Sequence, residues 1–128
     1  MKLAIDTNRY VDFCREVPEA VEAVRQAEKI FMPFVVLGEL RSGFQSGTKG
    51  LQNERVLIRF LNSSRVETLF PDEDTTHHYA RLFQQLRKQG TPVPINDLWL
   101  AALVLQHDLQ LLTRDRHFDH IPQLSLVR

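Results

Sequence analysis

Four carboxylates occupy positions from which they could act together. Asp6 ends the apolar run that begins at Lys2, and Asp115 follows the predicted strand Leu109 to Thr113 by two residues. Asp97 lies in the first turn of a strongly apolar helix, and Glu39 interrupts an apolar helical stretch from Val35 to Phe44. In a parallel sheet, ligands sit beyond the carboxyl ends of the strands, where Asp6 and Asp115 would lie. Two carboxylates about 5 Å apart repel by roughly 3 kcal/mol at an effective dielectric near 20, so convergence without a cation is costly. A divalent ion removes that cost and supplies chemistry of its own, activating water and neutralising developing charge. Oxygen ligation favours Mg²⁺ or Mn²⁺ over Zn²⁺, and no His or Cys spacing competes with that donor set.

Each acid also has a purely structural reading. Asp97 would complement a helix dipole, and Asp6 and Asp115 are ordinary turn residues. Glu39, flanked by Val36, Leu37 and Leu40, is costly to bury unless an arginine such as Arg41 pairs with it. Thr113 stands two residues before Asp115, so strand alternation puts its hydroxyl on the same side, a candidate to position water.

The elements that must carry these groups alternate regularly. After the first strand, Thr7 or Asn8 caps a helix with apolar positions at Tyr10, Val11, Phe13, Cys14 and Val17. Pro18 suits the first turn of a second helix, and Ile30 to Phe34 reads as a buried strand. A short helix over Val35 to Phe44 is expected to give way to a mobile loop at Gly43, Gly47 and Gly50. Leu51 to Leu61 is amphipathic, Val66 to Phe70 is a third strand, and Asp72 to Asp74 open a long helix that ends near Arg87 and Lys88. Asn96 and Asp97 open the last helix, before strands over Leu109 to Thr113 and Leu124 to Val127. Strands alternating with helices over the whole length predict an α/β fold around a parallel or mostly parallel sheet.

The chain has 128 residues, which suits one domain over 1-128, and its 43% apolar and 25% charged composition is that of a globular protein. The longest apolar runs fall far short of the roughly 18 residues of a membrane span. Asp6 also interrupts the N-terminus before a signal peptide's apolar region forms, so a cytoplasmic location is expected. Cys14, the single cysteine, is expected to be a packed core thiol. Sixteen basic and sixteen acidic residues cancel, so no global positive field advertises a nucleic-acid partner. Metal bound among the acids would cancel their charge locally, and an arginine-rich remainder at Arg41, Arg114 and Arg116 would then attract phosphates.

Taken together, Asp6-Thr7-Asn8, Gly38-Glu39-Leu40-Arg41, the run Pro94 to Ala102 and the run Leu111 to Phe118 resemble the PIN-domain ribonucleases, and among them the VapC toxins of bacterial toxin–antitoxin systems. The order and spacing agree over nearly the full chain. The resemblance implies a three-layer α/β/α sandwich around a sheet of about five strands, and an endoribonuclease dependent on Mg²⁺ with Mn²⁺ as substitute. It also implies an RNA substrate such as tRNA, a homodimer and a cognate VapB-like antitoxin. The metal-site roles it carries fall on Asp6, Glu39, Asp97 and Asp115, with Thr113 and Asn8 as supporting polar groups. Arg9 stands where the family more often has an apolar residue, and so is expected at the site, on the RNA or at the surface. His117 and Phe118 are expected to be structural.

Three rivals differ in testable ways. A Mg²⁺-dependent phosphatase would need a second acid two residues after its nucleophilic Asp, where this chain has Asn8. A receiver domain would need a phospho-accepting Asp after a central strand and a late lysine, yet Val66 to Phe70 ends at Pro71 and no lysine follows Lys88. A catalytically silent RNA- or antitoxin-binding module would keep the fold without needing all four acids.

Overall fold

A computed structural model describes residues 1–128. The elements run β1 (Lys2–Ile5), α1 (Thr7–Cys14), α2 (Pro18–Gln26), β2 (Lys29–Pro33), α3 (Phe34–Ser46), α4 (Gly50–Leu61), β3 (Val66–Leu69), α5 (Glu73–Gln89), α6 (Ile95–Gln106), β4 (Gln110–Leu112) and β5 (Ser125–Val127). A 3-10 turn, Arg116–His120, lies between the last two strands. The sheet order is β3-β2-β1-β4-β5 and every pairing is parallel. In β1, Leu3, Ala4 and Ile5 are all fully buried. Because successive strand residues face opposite sides, unbroken burial means that both faces of the sheet are covered. This is the expected α/β sandwich.

Its order places β1 between two neighbours reached in opposite directions. The chain winds outward from β1 to β2 and β3, then returns across the sheet through α5 and α6 to add β4 on the other side. The crevice between the carboxyl ends of β1 and β4 is therefore the topological switch point, where open α/β sheets bind ligands. Ile5 pairs in register with Leu112, so the residues that follow, Asp6 and Thr113, emerge side by side.

Local chemistry accounts for the helix ends. Asp72 and Thr75 form a reciprocal capping box at the start of α5, and Gly90 closes that helix in the left-handed region at φ 73°. Pro18 occupies the first turn of α2, where a missing N–H costs nothing.

Three expectations change. Helix α3 continues through Gly43 to Ser46, so the predicted mobile loop shrinks to Gly47–Lys49 before α4 begins. Leu37 and Leu40 pack this helix into the core and Phe44 packs against it, which overrides the weak helix propensity of the glycines. Cys14 is exposed rather than packed, because it is the last residue of α1 and the chain turns away through Arg15 and Glu16, the latter at φ 60°. Strands β4 and β5 are shorter than their apolar runs suggested. No helix is long and apolar enough to cross a membrane.

The α3–α4 junction gives a stability prediction. A Cβ at Gly50 would stand 2.5 Å from the Phe44 carbonyl oxygen, a backbone atom that cannot move aside cheaply. Gly50→Ala is therefore expected to lower stability by about 1–3 kcal/mol, read as a lower urea midpoint at constant slope. An unchanged midpoint would show that the junction relaxes without cost.

Candidate metal centre

Asp6 is the buried end of the site, with only 5% of its surface accessible. As the residue that caps α1, it accepts the Thr7 backbone N–H through Oδ1 at 2.8 Å. Its Oδ2 accepts the Thr113 hydroxyl at 2.7 Å and faces the Asn8 amide at 3.4 Å. Thr113, itself fully buried, also accepts the Asp115 backbone N–H at 2.9 Å. Its hydroxyl thus donates to one acid and accepts from the backbone of another, so Thr113 fixes Asp6 against the loop that bears Asp115. The Asn8 carbonyl accepts the Arg114 backbone N–H at 3.1 Å, a second tie between the β1–α1 turn and the β4 loop.

Asp97 and Asp115 form the more open side. Asp97 sits in the first turn of α6, where the helix dipole favours its charge. His117 Nδ1 lies 2.8 Å from Asp97 Oδ2 and 3.0 Å from Asp115 Oδ1, and the His117 backbone N–H reaches the same Asp115 oxygen at 2.9 Å. The donor atoms of these three residues lie within 4.8 Å of one another. Glu39 approaches from α3. It is exposed rather than buried, and it accepts the Thr7 hydroxyl at 2.8 Å, which links it to the turn carrying Asp6.

The electrostatics of the group fit a cation. Burial pushes the Asp6 carboxyl up to about 6, against the opposing hydrogen bonds from Thr113 and Thr7, and the charges of Glu39 and Asp97 raise it further. Burial likewise raises Asp97, with Asp115 and Glu39 adding repulsion that the His117 contact offsets. Two carboxylates whose charged forms burial disfavours, next to further acids on a rim open to solvent, are a donor set that a divalent ion stabilises.

The PIN domain family matches residues 3–124. The chain belongs to that family. Among its relatives, Ribonuclease VapC1 of Haemophilus influenzae is 32% identical over 94% of this chain and 92% of its own length. Ribonuclease VapC4 of Mycobacterium tuberculosis is 33% identical over 73% of this chain and 72% of its own length. Among solved structures, VapBC-1 from nontypeable Haemophilus influenzae superposes with a TM-score of 0.86 at 29% identity, covering 99% of this chain and 97% of that one. VapBC2 from Rickettsia felis, bound to a DNA fragment from its promoter, gives the same score at 27% identity over 99% and 98%.

Within this PIN fold the arginines do not behave as expected. Arg9 is buried, reaching neither the metal centre nor open surface, and its guanidinium meets Asp12 Oδ2 at 3.1 Å. Arg114 bonds the same carboxylate at 2.7 and 3.2 Å. Arg41 pairs with Glu54 on α4 at 2.9 Å rather than with Glu39, and Arg116 lies 3.7 Å from Asp119. Arg41 and Arg114 therefore already face acids that α4 and α1 bring to them, whereas Arg116 is 87% exposed and its nearest acid is three residues along the chain. Phe118 is fully buried and structural, as expected.

His117, expected to be structural, stands against both Asp97 and Asp115, a contact that sequence reasoning did not foresee. The available signal was its position two residues after Asp115, which a 3-10 turn converts into a shared approach to Asp97. Thr7 and Asp12 were missed as well, the first because its hydroxyl reaches Glu39, the second because it anchors two arginines.

Proposed function

We propose that this chain is a metal-dependent endoribonuclease of the VapC type, held in check by a cognate VapB-like antitoxin. The reading is supported by Asp97 and Asp115 standing together beside the β1–β4 switch point, with Asp6 and Glu39 near enough for their charges to act on that group, in a chain related over most of its length to proteins named Ribonuclease VapC. The VapBC structures are complexes of such toxins with antitoxins, which supports the partner. The cytoplasm is the proposed compartment.

Asp6, Asp97 and Asp115 would hold the cation, Mg²⁺ with Mn²⁺ as substitute, and Glu39 would be a further ligand or orient the attacking water. When bound, the ion lowers the pKa of water and neutralises charge on the phosphate and the leaving oxygen. Thr113 and Asn8 hold the Asp6 carboxylate against the β4 loop, so the donors are positioned before substrate arrives. Attack on phosphorus would leave a 5′-phosphate and a 3′-hydroxyl. Beside the acids, and sharing Glu39 with them, opens a cleft of about 880 Å³ walled by Phe34, Trp99 and Leu103 with Asn96 at its side. Its aromatic walls, Phe34 and Trp99, suit unstacked bases, so single-stranded loops of structured RNA such as tRNA are the proposed substrates. Exposed Phe70 and Phe83 supply apolar surface for the proposed homodimer.

The test is cleavage of a mixed RNA panel, total tRNA included, by antitoxin-free protein with Mg²⁺, Mn²⁺ or EDTA. Cleavage is expected with either metal and is expected to vanish with EDTA. Cleavage that persists in EDTA would refute the metal mechanism, and no cleavage of any RNA by folded, metal-binding protein would favour the phosphatase alternative.

A further inference from the structure

We propose that His117 is a metal ligand of this centre, contributing Nδ1 beside the carboxylates of Asp97 and Asp115, and that the site consequently prefers a first-row transition ion such as Mn²⁺ over Mg²⁺. The inference rests on the metal-dependent reading above and adds to it a nitrogen donor that the acidic residues alone do not predict.

The geometry is the first reason. Donors about 2.1 Å from an octahedral ion stand about 3.0 Å apart along each edge. His117 Nδ1 lies 2.8 Å from Asp97 Oδ2 and 3.0 Å from Asp115 Oδ1, each the spacing of adjacent ligands, and the three donors lie within 4.8 Å of one another; a bound ion would replace the proton that Nδ1 now shares with the two carboxylates. The imidazole is also held in place by its backbone, since the His117 N–H bonds Asp115 Oδ1 at 2.9 Å and the following residue, Phe118, is locked in the core.

The chemistry of the donors is the second reason. Carboxylates alone serve Mg²⁺ and Mn²⁺ comparably, whereas imidazole binds transition ions far better than Mg²⁺. One nitrogen among three or four oxygens would shift selectivity without excluding Mg²⁺. Half of the His117 side chain is accessible, so an ion could enter from solvent and the ring's other nitrogen could remain hydrated.

Mn²⁺ added to EDTA-stripped full chain tests this by pulsed electron paramagnetic resonance, which detects ¹⁴N bound to the ion, and by titration calorimetry. Wild type is expected to show nitrogen coupling and to bind Mn²⁺ more tightly than Mg²⁺. His117→Ala should lose the coupling and weaken Mn²⁺ binding by about tenfold or more while changing Mg²⁺ affinity much less. His117→Gln, which keeps polarity and bulk, should resemble the alanine variant. Mn²⁺ bound without nitrogen coupling, or equal losses for both ions, would overturn the ligand assignment and leave His117 as an ion-pair partner of the two acids. Absence of Mn²⁺ binding in wild type would overturn both the assignment and the metal centre beneath it. Asp115→Asn separates the two, because it should abolish binding of either ion whatever His117 does.

Discussion

Replacing Asp6 with Asn is expected to abolish RNA cleavage and, at the same time, to make the metal-free protein more stable at neutral pH. The loss of activity follows from removing the buried carboxylate of the proposed centre. If the bound ion supplies even 4 kcal/mol or so of transition-state stabilisation, losing it lowers the rate by about a thousandfold. The gain in stability has a separate origin. The Asp6 carboxyl is raised from 3.8 to about 6, so the folded state disfavours its ionised form. Below pH 4 the group is protonated in both states and costs nothing. Between pH 4 and 6 the unfolded chain ionises first and the fold loses stability, and above pH 6 the full cost applies, on the order of 3 kcal/mol at one pKa unit per 1.36 kcal/mol.

Asparagine removes this charge while remaining a good helix cap for α1. Its amide fits the Thr113 hydroxyl less well than a carboxylate does, so the net gain is expected at about 1–3 kcal/mol, a rise of roughly 5 °C in the thermal midpoint at pH 7.5 in EDTA. The two proteins should converge near pH 4. Added Mn²⁺ should raise the midpoint of wild type only, since binding to the native state stabilises by mass action. A variant that still cleaves RNA, or that melts below wild type at pH 7.5 in EDTA, would contradict the assignment of Asp6.

The second large effect lies behind the centre. Asp12 is buried and accepts hydrogen bonds from Arg9 at 3.1 Å and from Arg114 at 2.7 and 3.2 Å, and this pairing, above all the Arg114 bonds, holds its carboxyl below the usual range. Arg9 is 7% exposed, and Asp12 is the only hydrogen-bond partner of its guanidinium, whose Nε has none. Asp12→Ala would leave that guanidinium buried and unpaired, at a cost of about 3–5 kcal/mol, a large part of the 5–15 kcal/mol that holds a typical domain folded. Urea unfolding should show the loss directly. The double change Asp12→Leu with Arg9→Met should recover much of it, because breaking a buried ion pair is worse than replacing it. Arg114→Ala should cost far less, as Arg114 is mostly exposed. The contribution of Asp12 is present above its unfolded pKa and is lost as pH falls through its lowered folded value, so wild type and variant should approach each other in acid. A cost below about 1 kcal/mol for Asp12→Ala would mean that Arg9 finds water or another partner.

Much of this protein is written locally. Alternating apolar runs and capping residues specify the strands and helices, because each is a short-range preference. The positions of Asp6 and Asp115 after strands, and of Asp97 in the first turn of a helix, follow from the same local signals, as does the parallel sheet. Gly43 shows where local preference yields: glycine signals a break, yet packing of the flanking Leu40 and Phe44 keeps α3 helical. Arg9 meets Asp12 and Arg116 meets Asp119 at local i,i+3 spacing, but other charged groups find their partners only in the tertiary structure. Arg41 turns to Glu54 rather than to nearby Glu39, and Asp12 collects Arg114 from 102 positions away. His117 reaches Asp97 only because a 3-10 turn and the buried Phe118 fix the loop after β4. Sequence determined which residues are acidic and which elements carry them. Only the parallel pairing of β1 with β4 at the switch point decided which carboxylates repel, which are neutralised and which nitrogen stands among them, since electrostatic energy depends on distance in space rather than along the chain.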